Sequence, residues 1–210
     1  SPDYKDFTAA VAALNARGVC GAVTFNVFDG IYTEKLMINS IAGTSSSNTI
    51  TFQSKSGSNA KVALEYPASN AYPNAVVTMN GCDYITFQNM TIQSTGNGYY
   101  GFPFYIQKGS THNTVSGCVL RDKAMYSYIF YIYGYQNPCD YTTIKKNNMY
   151  GGQYGIYSYG YNYPNPNQTD LVLNDNVIDS FSSIGVYTYY SDNASYTNNY
   201  ISGSSGQVEG

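Results

Sequence analysis

The chain of 210 residues is long enough for one domain with a sizeable core, and its net charge of −3 excludes a strongly basic nucleic-acid binder. Charged residues make up only 11% of it while 25 residues are tyrosine, so hydroxyls and amides carry its solubility, as in a protein of strands and turns. It holds no apolar run of the ~18 residues that a membrane helix needs, and no basic start followed by an apolar run, so an exported form would have lost its leader.

Residues 1–18 predict the one convincing helix. Phe7, Ala10, Val11 and Leu14 recur at i, i+3, i+4 and i+7, with Asp3 or Asp6 as N-cap and Gly18 as the stop. From Val23 the period becomes two. Val23, Phe25 and Val27 alternate with polar neighbours, and Asp29-Gly30 turns the chain into Ile31-Tyr32-Thr33-Glu34.

This order, a helix containing FTAAVAAL, a strand VTFNV, the turn DG and then IYTE, resembles the N-terminal region of the pectin-lyase-like superfamily. Its members are right-handed parallel β-helices that include pectin methylesterases, pectate lyases and many bacterial surface proteins. The specific match covers roughly residues 4 to 38 and implies a fold, not an activity. An amphipathic helix laid across one end of a stack of coils covers exposed core and free strand edges together, so residues 1–22 read as cap and first approach to the coils.

Thr49 to Gln53 and Lys61 to Tyr66 read as strands of early coils, on either side of the Ser/Gly/Asn-rich Lys55 to Asn59, and Pro67 to Pro73 as a polar loop. The chain then repeats itself. Tyr128 to Tyr135 overlays Tyr154 to Tyr161 with four tyrosines matched, and Gly185 to Tyr189 fits the same frame. Phe130, Ile156 and Val186 are 26 and 30 residues apart, with Phe104 another 26 upstream of Phe130 and Val77 another 27 before that. Such periods mean stacked repeats. Alternation places Phe130, Ile156 and Val186 inward, and Tyr131, Tyr157, Tyr187 and Tyr133, Tyr159, Tyr189 outward.

A second column aligns Ile85 to Ile92 with Asn113 to Leu120, Thr142 to Met149, Leu171 to Ile178 and Ala194 to Ile201. Its anchors Phe87, Val115, Ile144, Leu173 and Tyr196 are 28, 29, 29 and 23 apart, and Asn147, Asn176 and Asn199 share one position, which predicts an asparagine ladder. The fold expected is all-β, a right-handed parallel β-helix with an N-terminal capping α-helix and coils over 23–201. Tyr163-Pro164-Asn165-Pro166-Asn167 forms a loop between coils, and 202–210 is a low-complexity tail or the continuation of a longer chain.

Catalytic chemistry is sparse. The resemblance implies, for methylesterases, a Gln-Asp-Thr-Leu segment and a second catalytic Asp. For pectate lyases it implies several acidic calcium ligands and an arginine, and for polygalacturonase-like sites an Asn-Thr-Asp motif, an Asp-Asp pair, Gly-His-Gly and Arg-Ile-Lys. The methylesterase and polygalacturonase motifs are missing here, and the 13 acids and two arginines are scattered over different columns. The weak candidate is Arg121-Asp122-Lys123, where a basic residue would act beside an acid-bound cation, although the nearest stacking acid, Asp179, is two turns away. A plain surface cluster is the competing reading. His112 reads as a solvated turn residue. Asn174-Asp175-Asn176 and Asp192-Asn193 offer one Asp per site, a weak donor set for calcium, so no metal and no cofactor are assigned.

Cys82 and Cys139 fall at equivalent positions two coils apart, beyond disulfide reach, and Cys118 takes the buried position of Met90. A bridge from Cys20 to the early coils stays open. No Cys-x-x-Cys or Cys-x-x-His suggests zinc.

The distinctive feature is the outward tyrosine face: Tyr105, Tyr131, Tyr133, Tyr157, Tyr159, Tyr187 and Tyr189. It suits a non-catalytic module that binds polysaccharide or a partner's surface by ring stacking, as part of a longer chain at a bacterial cell surface or outside the cell. A polysaccharide-active enzyme with tyrosine subsites, and a structural spacer whose rings only stabilise the coil, are the alternatives.

Overall fold

Each described coil but the last contributes one short strand to each of three parallel sheets. The computed structural model describes residues 3–124, 126–161 and 167–203. Among these, a seven-stranded sheet runs from Val23–Val27 to Ser195–Thr197 and a second from Gly30–Thr33 to Tyr200–Gly203. A third, of six strands, runs from Leu36–Asn39 to Ile184–Tyr189. All pairings in the three sheets are parallel and join strands about one coil apart in sequence, which makes the right-handed parallel β-helix expected.

The repeats hold residue for residue. Phe130 pairs with Ile156 and Ile156 with Val186, while Phe87, Val115, Ile144, Leu173 and Tyr196 form one unbroken register. Phe25, Phe52 and Phe87 stack inside at 4.8 and 5.1 Å, and Phe104 stacks on Phe130 at 5.0 Å. Tyr196 keeps its register but is 47% exposed, because no described coil covers it.

One correction concerns the second column, whose eight-residue copies are not single strands. Each bends at a residue in the left-handed region: Asn89, Gly117, Lys146, Asp175 and Asn198, at φ of 54 to 62°. The bend hands the chain from the first sheet to the second, so three long sheets run where the repeats suggested two columns, beside a two-stranded pairing of Gln168–Thr169 with Ser191–Asp192. Asn, Gly and Asp tolerate this conformation, and they supply four of the five positions.

Just past the bend, the ladder forms as expected. Asn147 Oδ1 accepts the Cys118 amide at 2.9 Å, while Asn147 Nδ2 donates to Val115 O at 3.0 Å and to Asn176 Oδ1 at 3.2 Å. Asn176 and Asn199 repeat the pattern one coil on. The bend breaks the regular sheet pairing, and the carboxamides replace it with bonds that bind coil to coil. Asn113 does the same at another corner, accepting from Ile85 N and donating to Cys82 O.

The helix spans Phe7–Arg17, capped by Asp6, whose carboxylate accepts Ala9 N at 2.8 Å, and ended by Gly18 at φ 65°. Phe7, Ala10, Val11 and Leu14 face the core. Glu34, the last residue of IYTE, accepts Phe7 N, Thr8 N and Thr8 Oγ1 at 3.2, 2.7 and 2.6 Å. A carboxylate on the free amides of a helix N-terminus ties the cap to the first coil, which explains why FTAAVAAL and IYTE belong together.

All four cysteines are free. Cys20 is exposed, whereas Cys82, Cys118 and Cys139 are buried, and burial pushes their thiols up to about 12.

Candidate functional site

Two columns run the length of the third sheet's outer face. One is Met37, Thr78, Tyr105, Tyr131, Tyr157, Tyr187; the other is Asn39, Asn80, Gln107, Tyr133, Tyr159, Tyr189. The second begins as an amide ladder, with Asn80 Nδ2 donating to Asn39 Oδ1 at 2.7 Å and Gln107 Nε2 to Asn80 Oδ1 at 3.1 Å, and continues as phenols. No strand of this sheet carries an acidic or basic residue.

Most rings stack along the coil axis: Tyr105–Tyr131 at 5.0 Å, Tyr157–Tyr187 at 4.9 Å, Tyr133–Tyr159 at 5.9 Å and Tyr159–Tyr189 at 5.6 Å, with planes within 29° of parallel, whereas Tyr131 meets Tyr157 edge-on at 5.7 Å. Rings this close overlap with an offset instead of lying side by side. Their faces are therefore turned largely towards one another, and edges and hydroxyls towards solvent. The open platform of ring faces expected from the sequence is replaced by a ladder of phenol groups, one per coil.

The tyrosine part of the face has a covered end, at Tyr105, and an open end. In the strand Tyr126–Tyr133, Ile129 and Phe130 both point inward, so the alternation is reset and Tyr128 turns outward. Tyr128 stacks on Tyr131 at 4.8 Å and on Tyr154 at 5.3 Å. Phe102 likewise faces out, and Tyr72, from the loop after Pro67, packs edge-on against Tyr100 and Phe102. These rings bury Tyr105 to 6% exposure. Strict alternation hides Tyr128 and Phe102, and the aromatic pair Tyr99-Tyr100 was the available hint that this end is crowded.

Burial raises the Tyr131 phenol far above its ordinary value, reinforced by a hydrogen bond with Tyr72. Burial also pushes Tyr105 and Tyr157 up to about 12. These three phenols are thus neutral donors and acceptors at physiological pH. Tyr133, Tyr159 and Tyr187 are half-exposed and Tyr189 is 43% exposed, which makes them the accessible end.

Arg121, Asp122 and Lys123 do not converge. Arg121 lies outside, with its guanidinium 5.5 Å from the Tyr150 ring centre, and Tyr150 separates it from Asp179. Asp122 alternates inward and is 2% exposed, with Oδ1 accepting Ala124 N at 2.6 Å. Its Oδ2 and the Ser94 hydroxyl one coil above are buried without a hydrogen-bond partner. Both lie against Gly101, where a Cβ would come within 2.1 Å of Ser94 Oγ and 2.9 Å of Asp122 Oδ2. Burial raises the Asp122 carboxyl to about 8, so it is mostly protonated at neutral pH.

His112 is exposed on its turn, between Tyr84 at 4.6 Å and Tyr141 at 4.4 Å. Among the described residues no group of three or more metal-ligating side chains assembles, and no helix is long and apolar enough to cross a membrane. A cleft of about 580 Å³ lies at the other end of the molecule, between the helix and the first strand, lined by Tyr4, Phe7, Phe25, Tyr32 and Phe52. It is a seam of the cap, remote from the tyrosine columns. Tyr163 to Pro166 and the tail from residue 204 lie outside the described residues.

No family model matches the sequence, and no curated protein matches it. Among solved structures, the crystal structure of the pectin methylesterase from Aspergillus niger in deglycosylated form aligns over 98% of this chain, with a TM-score of 0.66 and 15% identity. The fold is the pectin-lyase-like β-helix. The chain spans 65% of that enzyme's length, and at this identity the likeness concerns the fold alone.

Proposed function

We propose that this β-helix is a non-catalytic binding module whose third-sheet face holds a neutral polysaccharide. The observation that carries the reading is the uninterrupted run of amides and phenols, one per coil, on a sheet without a single charge. A ladder of neutral donors and acceptors at the ~4.8 Å strand spacing suits a polymer of hydroxyls laid along the axis, and gives an acidic polymer no counter-charge. The buried Asp122 and the outward Arg121 speak against a carboxylate-driven reaction at that corner. An exported or cell-surface setting, within a longer chain, fits the low charge and the polar coils.

A glycan array of neutral and acidic polysaccharides, followed by calorimetric titration of the best ligand, tests this. Binding to neutral glycans should survive high salt and fall in a Tyr159→Ala, Tyr189→Ala variant that remains folded at the titration temperature. Selective capture of acidic glycans, lost at high salt, would falsify it.

A further inference from the structure

Sixteen tyrosines, from Tyr72 and Tyr99 to Tyr189 and Tyr190, join with Phe102 into a continuous network whose neighbouring ring centres are no more than 6.4 Å apart. The chain has no tryptophan, which leaves phenols as its most oxidisable rings. We propose that this network is a site of oxidative modification, and that Tyr135 and Tyr161 couple to form a dityrosine staple between successive coils.

Three observations single out this pair. Its ring centres are 4.5 Å apart at 75°, closer than any other tyrosine pair of the network that joins two coils, so ring carbons are already in van der Waals contact. The two residues follow Tyr133 and Tyr159, which face each other in the register, at the same offset, so a bond between them needs no shift of the coils. Tyr135 is 39% exposed, so water can take the proton that a phenol releases when it loses an electron. Tyr105 is buried and Tyr131 partly buried among other rings, with no carboxylate or imidazole on their sheet to take that proton. A radical formed within the network therefore settles at its wet rim, and Tyr133, stacked on Tyr135 at 5.8 Å, connects the two regions.

The oxidant is a haem peroxidase with hydrogen peroxide. Each phenol gives up one electron and its hydroxyl proton, and the two phenoxyl radicals form one carbon–carbon bond between ring positions ortho to oxygen. The two ortho hydrogens then move to the oxygens, restoring both phenols. The protein loses two hydrogens in all, and one peroxide becomes two waters.

The test treats the full chain, at low concentration, with horseradish peroxidase and limiting peroxide. Expected are dityrosine fluorescence on the monomer band and a linked peptide pair, two hydrogens light, containing Tyr135 and Tyr161. Tyr135→Phe keeps the ring and the fold but should lose most of that fluorescence, with unchanged melting of the unoxidised variant as the control. Links mapped mainly elsewhere, links only between molecules, or undiminished monomer fluorescence in Tyr135→Phe would each overturn the proposal. None of these outcomes depends on glycan binding.

Discussion

The inner column Asn147, Asn176, Asn199 and the outer column Tyr133, Tyr159, Tyr189 are built by the same device, one side chain repeated on three successive coils, yet they answer to different forces. Each asparagine closes bonds that a buried bend leaves open, so its identity is dictated by the backbone beside it. The tyrosines meet one another through ring contacts, and nothing in the backbone demands them. The amides Asn39, Asn80 and Gln107 occupy the same outer column in the earlier coils and serve the fold equally well. Residues that the fold does not require are where a binding function can reside.

The sharpest way to break this contrast is Asn147→Ala, which leaves Cys118 N, Val115 O and the Asn176 amide short of a partner. The expected loss is about 3 kcal/mol by urea denaturation, since each buried group left unpaired costs roughly 1–3 kcal/mol. A loss under about 1 kcal/mol would show that the ladder is dispensable.

Asp122 extends the comparison, being an inner polar residue that no ladder satisfies. Its folded pKa is raised from 3.8 to about 8, so its contribution to stability is full below about pH 4 and is lost as pH rises through about 8. Asp122→Asn, which has no charge to bury, should be more stable than the parent near pH 8 and flatten the dependence between about pH 4 and 8. Parallel pH profiles for the two proteins would contradict this.

Within the tyrosine face, the covered and open ends should separate. Tyr131→Ala removes a ring packed among Tyr105, Tyr128 and Tyr157, and should cost about 2 kcal/mol in thermal or urea unfolding. Tyr159→Ala should cost under about 1 kcal/mol, being half-exposed. Equal losses at the two sites would make the whole face structural. The smallest effect is expected from Tyr159→Phe, which keeps the stack and removes one hydroxyl. It should leave stability unchanged and weaken glycan binding by about 1 kcal/mol, or roughly five-fold, in a titration.

Much of the coil was legible because a parallel β-helix writes its register into the sequence. Phe87, Val115, Ile144 and Leu173 must fill one inward line, and a lost turn would misplace every residue after it. The left-handed bends were visible in principle at Asn89, Gly117 and Asp175, but Lys146 at the same position obscures the pattern. The tyrosine columns could be numbered from the repeats, but not their exposure.

By itself, then, the sequence determined the inward columns, the asparagine ladder, the capped helix and the identity of the outward tyrosines. Those follow from periodicity and from the local demand of each backbone group for a partner. Tertiary structure alone decided that Tyr128 turns out, that Tyr72 covers one end of the face, that ring faces are spent on one another, and that Asp122 points away from Arg121 into the core. Each depends on where a strand resets its alternation or a loop folds back, and such choices are settled by packing between coils far apart in the chain.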